Sequence, residues 1–246
     1  MKDKIAVLYE DKNFLALYKP AGILVHKVKS LKLKVLEETL VDWVLDNYPE
    51  VKKVGDDTII RPGIVHRLDK DTSGIILIAR NQEFFNYLKN LFQTGKIKKN
   101  YLALVCGKLE PKTGIIEKPI SLKTGTTKRT VWKGKIEKEA ITEFKVIKFL
   151  KLKVNKVNKE KEQIFSLLEV MPKTGRTHQI RVHLASIGHP IVGDFLYGKK
   201  ENILGLKRQF LHAQSLEFSL PDNKRIKIEC DLPEDLNSAL SKLENS

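Results

Sequence analysis

Two short apolar segments, residues 5–9 and 14–18, flank the polar tetrapeptide Glu10-Asp11-Lys12-Asn13, a spacing that predicts a β-hairpin. Lys19-Pro20-Ala21-Gly22 breaks the second strand. Leu40, Val41, Val44 and Leu45 recur at helical spacing, and Pro49 ends that helix. The turn Arg61-Pro62-Gly63 leads into a polar stretch. The uninterrupted apolar run 75–79 follows, with the length of a buried strand. Phe84, Phe85, Leu88, Leu91 and Phe92 form a second helical stripe that ends near Gly95.

From Tyr101 onward the pattern is mostly β. Residues 101–105, 142–147, 164–170, 216–220 and 226–230 are the expected strands. One helix interrupts them, with Thr177 as its expected N-cap, Gly188 as its stop, and Ile180, Leu184 and Ile187 on its buried face. The chain has no internal repeat and no composition break that marks a linker, so a single domain over 1–246 is expected.

Composition narrows the function classes. Hydrophobic residues make up 41% of the chain and charged residues 30%, as in a soluble globular protein. The formal net charge of +15 points to a polyanionic partner, although a lysine-rich genomic bias would also raise it. Cys106 and Cys230 sit in no metal-ligand spacing and read as thiols of a reducing compartment. The first nine residues lack the apolar centre of a signal peptide, and no stretch approaches the roughly 18 apolar residues of a membrane span. A cytoplasmic location is expected.

Three separated stretches carry the reactive side chains. The first, His66-Arg67-Leu68-Asp69-Lys70-Asp71-Thr72-Ser73-Gly74, puts a carboxylate in a polar turn beside cations at the edge of a buried strand. Such a carboxylate stays ionised and aimed, as a nucleophile or base must. Asp71 lies two residues further on and invites a two-acid glycosidase reading. In a turn closed by Thr72-Ser73-Gly74 it is better explained as a capping residue. The second stretch, Lys98 to Val105, places Tyr101 at the mouth of a strand, where it could pack, stack on a base or relay a proton. In the third, Lys173 to His183, Arg176 and Arg181 bracket a helix start whose amides favour an anion. His178 and His183 are five apart, which is not a zinc spacing, and no metal is expected. The lysine-rich segment 145–161 reads as a strand end with a surface loop, either a solvated hairpin tip or a phosphate-contacting finger.

Together these stretches resemble the core motifs of the RluA-type pseudouridine synthase family. Lys19-Pro20-Ala21-Gly22-Ile23-Leu24-Val25-His26 is similar to the family's first motif, and Gly193-Asp194 with Tyr197-Gly198 and Leu211-His212-Ala213 also fall in place. The resemblance runs from about Ile5 to about Leu232. It implies an α+β catalytic domain with a mixed, largely antiparallel sheet flanked by helices and a central RNA cleft. It makes Asp69 the catalytic aspartate, Tyr101 the tyrosine that stacks on the uracil, and Arg181 the arginine that ion-pairs with the aspartate. Arg67 would fill the gap left by a flipped nucleotide, and His66 and Arg176 join it as substrate contacts. Many relatives carry a small RNA-binding module before this domain; here the first hairpin starts almost at once, so no such module is expected.

The implied reaction isomerises uridine within structured ribosomal or transfer RNA. It needs no redox cofactor or ATP, because nothing is oxidised and nothing is added. The expected partner is RNA, with no membrane or DNA partner and a monomeric chain. Two readings compete. A non-catalytic RNA-binding protein has no use for a carboxylate facing phosphates, and a nucleoside hydrolase does not require so basic a surface.

Overall fold

The computed structural model describes residues 4–27, 38–124, 126, 128–132, 134–156, 159–198 and 204–244. They form two compact units that exchange chain segments. The first comprises Met1–Lys98 and Gln214–Cys230, the second Lys99–Ala213 and Asp231–Ser246.

The first unit opens with the expected hairpin, β1 (Ala6–Glu10) and β2 (Phe14–Lys19). The Asp11 carboxylate accepts the amides of Asn13 and Phe14 at its turn. Helix α1 (Leu40–Asn47) begins at Thr39, whose hydroxyl caps the Asp42 amide while the Asp42 carboxylate returns to the Thr39 amide. Pro49 does end it, and opens a short 3₁₀ turn, Pro49–Lys53. Strand β3 (Ser73–Ala79) pairs antiparallel with β2 and is buried along its whole length. Its run is continuous rather than alternating because both faces are covered. Ile75, Leu77 and Ala79 pack with Phe84, Phe85 and Leu88 of α2 (Gln82–Gln93), while Ile76 and Ile78 pack with Leu40, Val41 and Val44 of α1.

The second unit is built on β4 (Lys98–Cys106), β5 (Thr113–Glu117), β9 (Ile141–Lys156) and β10 (Lys159–Pro172), ordered β4-β10-β9-β5 and antiparallel throughout. Between β5 and β9 the chain forms a separate small sheet from β6 (Ile120–Leu122), β7 (Arg129–Thr130) and β8 (Lys135–Lys138), in the order β7-β6-β8. Helix α3 is Gln179–Ser186. Strand β11 (Leu211–Ser219) divides between the units after Ala213, and its later part pairs with β12 (Arg225–Glu229) in the first unit. Helix α4 (Glu234–Glu244) ends the second unit, whose core includes its Leu236, Ala239 and Leu243. The fold is α+β, with a largely antiparallel sheet flanked by helices.

Two expectations change. The described residues of segment 145–161 are strand and not loop, most of β9 and the start of β10 in a long antiparallel hairpin, which agrees with the hairpin alternative; residues 157 and 158 lie outside the described residues. The N-cap of α3 is His178 in a left-handed conformation, φ +56°, and not Thr177. The cap residue's own side chain makes no capping bond; the Gln179 side chain instead braces the loop before the helix, its Oε1 accepting the Arg176 amide at 2.9 Å and the Thr174 hydroxyl at 2.7 Å. Gly188, at φ +85°, stops the helix as expected.

Candidate active site

Asp69 sits half-buried in the loop that enters β3, and this loop is fixed from several directions. Gly63 at its start has φ +68°, and a Cβ there would fall 2.5 Å from Val51 Cγ1 and 2.8 Å from the Ala79 carbonyl oxygen. Only glycine permits so close an approach to the strand. The Leu68 side chain is buried beneath the loop. His66 Nε2 accepts the Leu77 amide at 2.8 Å, which requires an unprotonated Nε2, and the ring stacks on Phe92 at 4.4 Å. The Thr72 amide closes the turn on the Asp69 carbonyl at 3.1 Å.

The first motif binds this same turn. The Lys70 carbonyl accepts the Gly22 amide at 2.9 Å and Lys19 Nζ at 3.0 Å. Lys19 is fully buried and also donates to the carbonyls of Pro20 and Ile23, at 2.7 and 2.9 Å. A buried ammonium with three carbonyl acceptors is well satisfied. It ties the Pro20–Ile23 bend to the residue next to Asp69. Lys19 belongs to the first motif, but nothing in the sequence alone gives it this role. Arg67 and Asp71 are exposed.

The second unit assembles its own cluster. Arg181, on α3, donates from Nε to Asp194 Oδ2 at 2.7 Å and from Nη2 to Oδ1 at 2.9 Å, a planar two-point contact. Oδ1 also accepts the amides of Leu196 and Tyr197. Burial alone would raise the Asp194 carboxyl; the hydrogen bonds and charge of Arg181, with the two amides, outweigh it and hold the group below the ordinary aspartate value. Gly193, at φ +75°, turns the chain here, and a Cβ on it would overlap the Arg208 carbonyl oxygen. The Tyr197 ring lies against the guanidinium, 5.2 Å from its centre, so Arg181 is held by its edge and by its face. The Tyr197 hydroxyl accepts the Arg129 amide and bonds His178 Nδ1, both at 2.9 Å.

Arg181, His178, Tyr197 and Asp194 therefore act as one unit, of which the sequence reading assigned a role only to Arg181. Asp194 and Tyr197 could have been suspected from the resemblance alone, because their spacing carries no periodicity. Arg176 is exposed and its Nε donates to the Glu139 carbonyl at 2.9 Å. Tyr101 is half-buried on β4 opposite Val170. Beside it, burial and the charge of Lys173 push Lys99 down to about 8. His183 is buried with both ring nitrogens bonded, to the Thr142 hydroxyl and the Lys118 carbonyl at 2.9 Å each. Among the described residues no group of three or more His, Cys, Asp or Glu side chains could hold a metal ion, and no helix is long and apolar enough to cross a membrane.

The fold and these motif loops define a class. The sequence profile described as RNA pseudouridylate synthase matches residues 13–186, and the chain belongs to that family. It is similar to "Ribosomal large subunit pseudouridine synthase D" of Nitrosomonas europaea, with 36% identity over 98% of this chain and 66% of that protein. It is also similar to an "Uncharacterized RNA pseudouridine synthase" of Aquifex aeolicus, with 38% identity over 98% of this chain and 73% of that protein. The chain thus spans just under two thirds of the length of the Nitrosomonas relative. The solved structure of "Human RNA Pseudouridylate Synthase Domain Containing 1" shares the fold, with a TM-score of 0.73, 22% identity, and coverage of 97% of this chain and 89% of that one.

Proposed function

We propose that this chain is an RluA-type RNA pseudouridine synthase that isomerises uridines in structured ribosomal or transfer RNA, in the cytoplasm, as a monomer and without a cofactor. The observation that carries this reading is the construction of the Asp69 turn. Lys19, Gly22, His66 and Gly63 all fix the main chain around one half-buried carboxylate, an arrangement suited to chemistry and superfluous for a surface cap.

In the reaction the bond from ribose C1′ to uracil N1 breaks and a bond from C1′ to C5 forms. The C5 proton is lost and N1 gains one, so the product is an isomer. Asp69 serves as nucleophile toward the sugar or as base toward a sugar proton. Tyr101 stacks on the uracil, and Arg181 acts on the charge of the aspartate. Arg67 occupies the space of the extracted nucleotide, whose unstacking costs a few kcal/mol. His66 supports the loop from within, and Arg176 joins the lysines in holding phosphates without reading sequence.

The test is Asp69→Asn, nearly isosteric but neither nucleophile nor base. Single-turnover tritium release from uridine-labelled ribosomal and transfer RNA should disappear, with RNA affinity within a few-fold of the unsubstituted protein. Turnover above about 1% of the original rate, equivalent to less than about 2.7 kcal/mol of lost transition-state stabilisation, would remove Asp69 from the mechanism.

A further inference from the structure

The small sheet β7-β6-β8 is explained by neither core packing nor the residues assigned to the reaction. All four residues of β8 are exposed, and Ile136 within it has φ +55°, a left-handed conformation that β-branched residues rarely adopt. At the turn before it, Trp132 is 75% exposed. Its main chain is nevertheless fixed: the amide donates to Thr130 Oγ1 at 3.1 Å, and the carbonyl accepts the hydroxyl of buried Ser121 at 2.9 Å. Gly134 tightens the same turn, since a Cβ there would lie 2.5 Å from both the Leu122 carbonyl oxygen and Ser121 Oγ. An ordered backbone thus presents a large apolar ring to solvent.

Its surroundings are cationic. Residues 118–138 contain seven Lys or Arg and one Glu. Lys123, Lys128, Lys135 and Lys138 are all exposed. The sheet also joins the Arg181 cluster within the same unit. The Arg129 amide reaches the Tyr197 hydroxyl at 2.9 Å, and Lys128 Nζ reaches the Leu196 carbonyl at 3.4 Å, beside exposed Phe195.

We infer that Trp132 is a stacking platform for an unpaired base of the RNA substrate, with the lysines of the small sheet on the adjoining phosphates. Aromatic rings set among cations bind single strands because every base offers a π-face and every linkage a charge. A protein partner of ordinary composition would find no counterpart for so one-sided a charge. This inference rests on the proposed RNA-directed function and gives its second unit a contact outside the reacting centre.

Trp43 and Trp132 are the two tryptophans, so Trp43→Phe leaves Trp132 as the sole indole reporter. Titrating this variant with a 12-nucleotide oligouridylate should quench its emission saturably, and a duplex of equal length should do so much less. Trp132→Ala should bind the oligonucleotide about 5-fold to 100-fold more weakly with an unchanged salt slope, Trp132→Phe should recover most of the affinity, and replacing Lys123, Lys128, Lys135 and Lys138 by Gln should flatten the slope. Emission unchanged at saturating RNA, or Trp132→Ala binding like the unsubstituted protein, overturns the inference. Emission that responds to protein concentration without RNA also overturns it, in favour of self-association. Binding is read here without turnover, so failure of the Asp69 test leaves this result standing, and the reverse holds too.

Discussion

Replacing Asp194 by asparagine keeps the shape of the side chain and removes its charge. In the folded protein this carboxylate is 1% exposed and receives two N–H groups from Arg181 and two main-chain amides. Asparagine retains an oxygen for the amides but turns an NH₂ group toward a guanidinium that has only donors. Removing one partner of a buried ion pair costs about 3–5 kcal/mol when nothing else compensates the remaining charge, and less when other groups do. The Tyr197 ring still faces the guanidinium, which keeps roughly 0.5–2 kcal/mol in place and puts the loss near the lower bound, about 3 kcal/mol. In a protein of this size each kcal/mol moves Tm by about 2–4 °C, so a fall of roughly 6–12 °C is expected by circular dichroism at pH 7. Adding Arg181→Met to this variant removes the guanidinium that the asparagine no longer matches and should cost much less than the two single losses combined. The pH dependence has a definite sign. The folded carboxyl lies below its unfolded value, so its stabilisation is complete above about pH 4 and declines as pH falls further; Asp194→Asn should lack that part of the acid limb. A Tm within about 2 °C of the original, or additive losses in the double variant, would refute the reasoning.

The neutral, buried His183 should make the protein acid-sensitive in a higher window. Burial lowers its folded value, so only the unfolded chain takes up a proton as pH drops below about 6.5, and stability falls there; Tm should decline less between pH 7.5 and 5.5 in His183→Gln. Gly193→Ala should lower Tm by several degrees and reduce soluble yield, because the added carbon meets the Arg208 carbonyl oxygen at a positive φ; an unchanged melting curve would mean that the turn relaxes freely.

Periodicity located the elements whose burial is one-sided or complete over a short run. The stripe from Phe84 to Phe92 became α2, and the unbroken run 75–79 became β3 because a helix covers each face. It misplaced the start of α3 because Gln179 to Leu184 are all buried, which leaves no polar face to mark the first turn. A glutamine at the first helical position braces the preceding loop, and the threonine does not cap the helix. The small sheet escaped notice for the opposite reason: β8 buries nothing, so its residues follow no apolar alternation. Helix α4 did carry a signal, with Leu236, Ala239 and Leu243 at helical intervals, but it lies beyond the region that the motifs span.

Charged groups show a deeper limit. The sequence contains 45 Lys and Arg residues, and type alone does not separate Lys19, sealed among three carbonyls, from lysines that meet only solvent. What distinguishes them is the acceptor, and acceptors come from residues distant in the chain, such as Lys70 for Lys19 and Asp194 for Arg181. Motif reading finds such positions only when it treats neighbouring motifs as parts of one structure. On that view Lys19-Pro20-Ala21-Gly22 braces the Asp69 turn, and Gly193-Asp194 with Tyr197 braces Arg181. Asp69 and Arg181, two of the three side chains proposed for the chemistry, thus each have a supporting motif. That pairing accounts for the polar residues gathered around two short loops: one set is proposed to act on RNA, and the other keeps it in place.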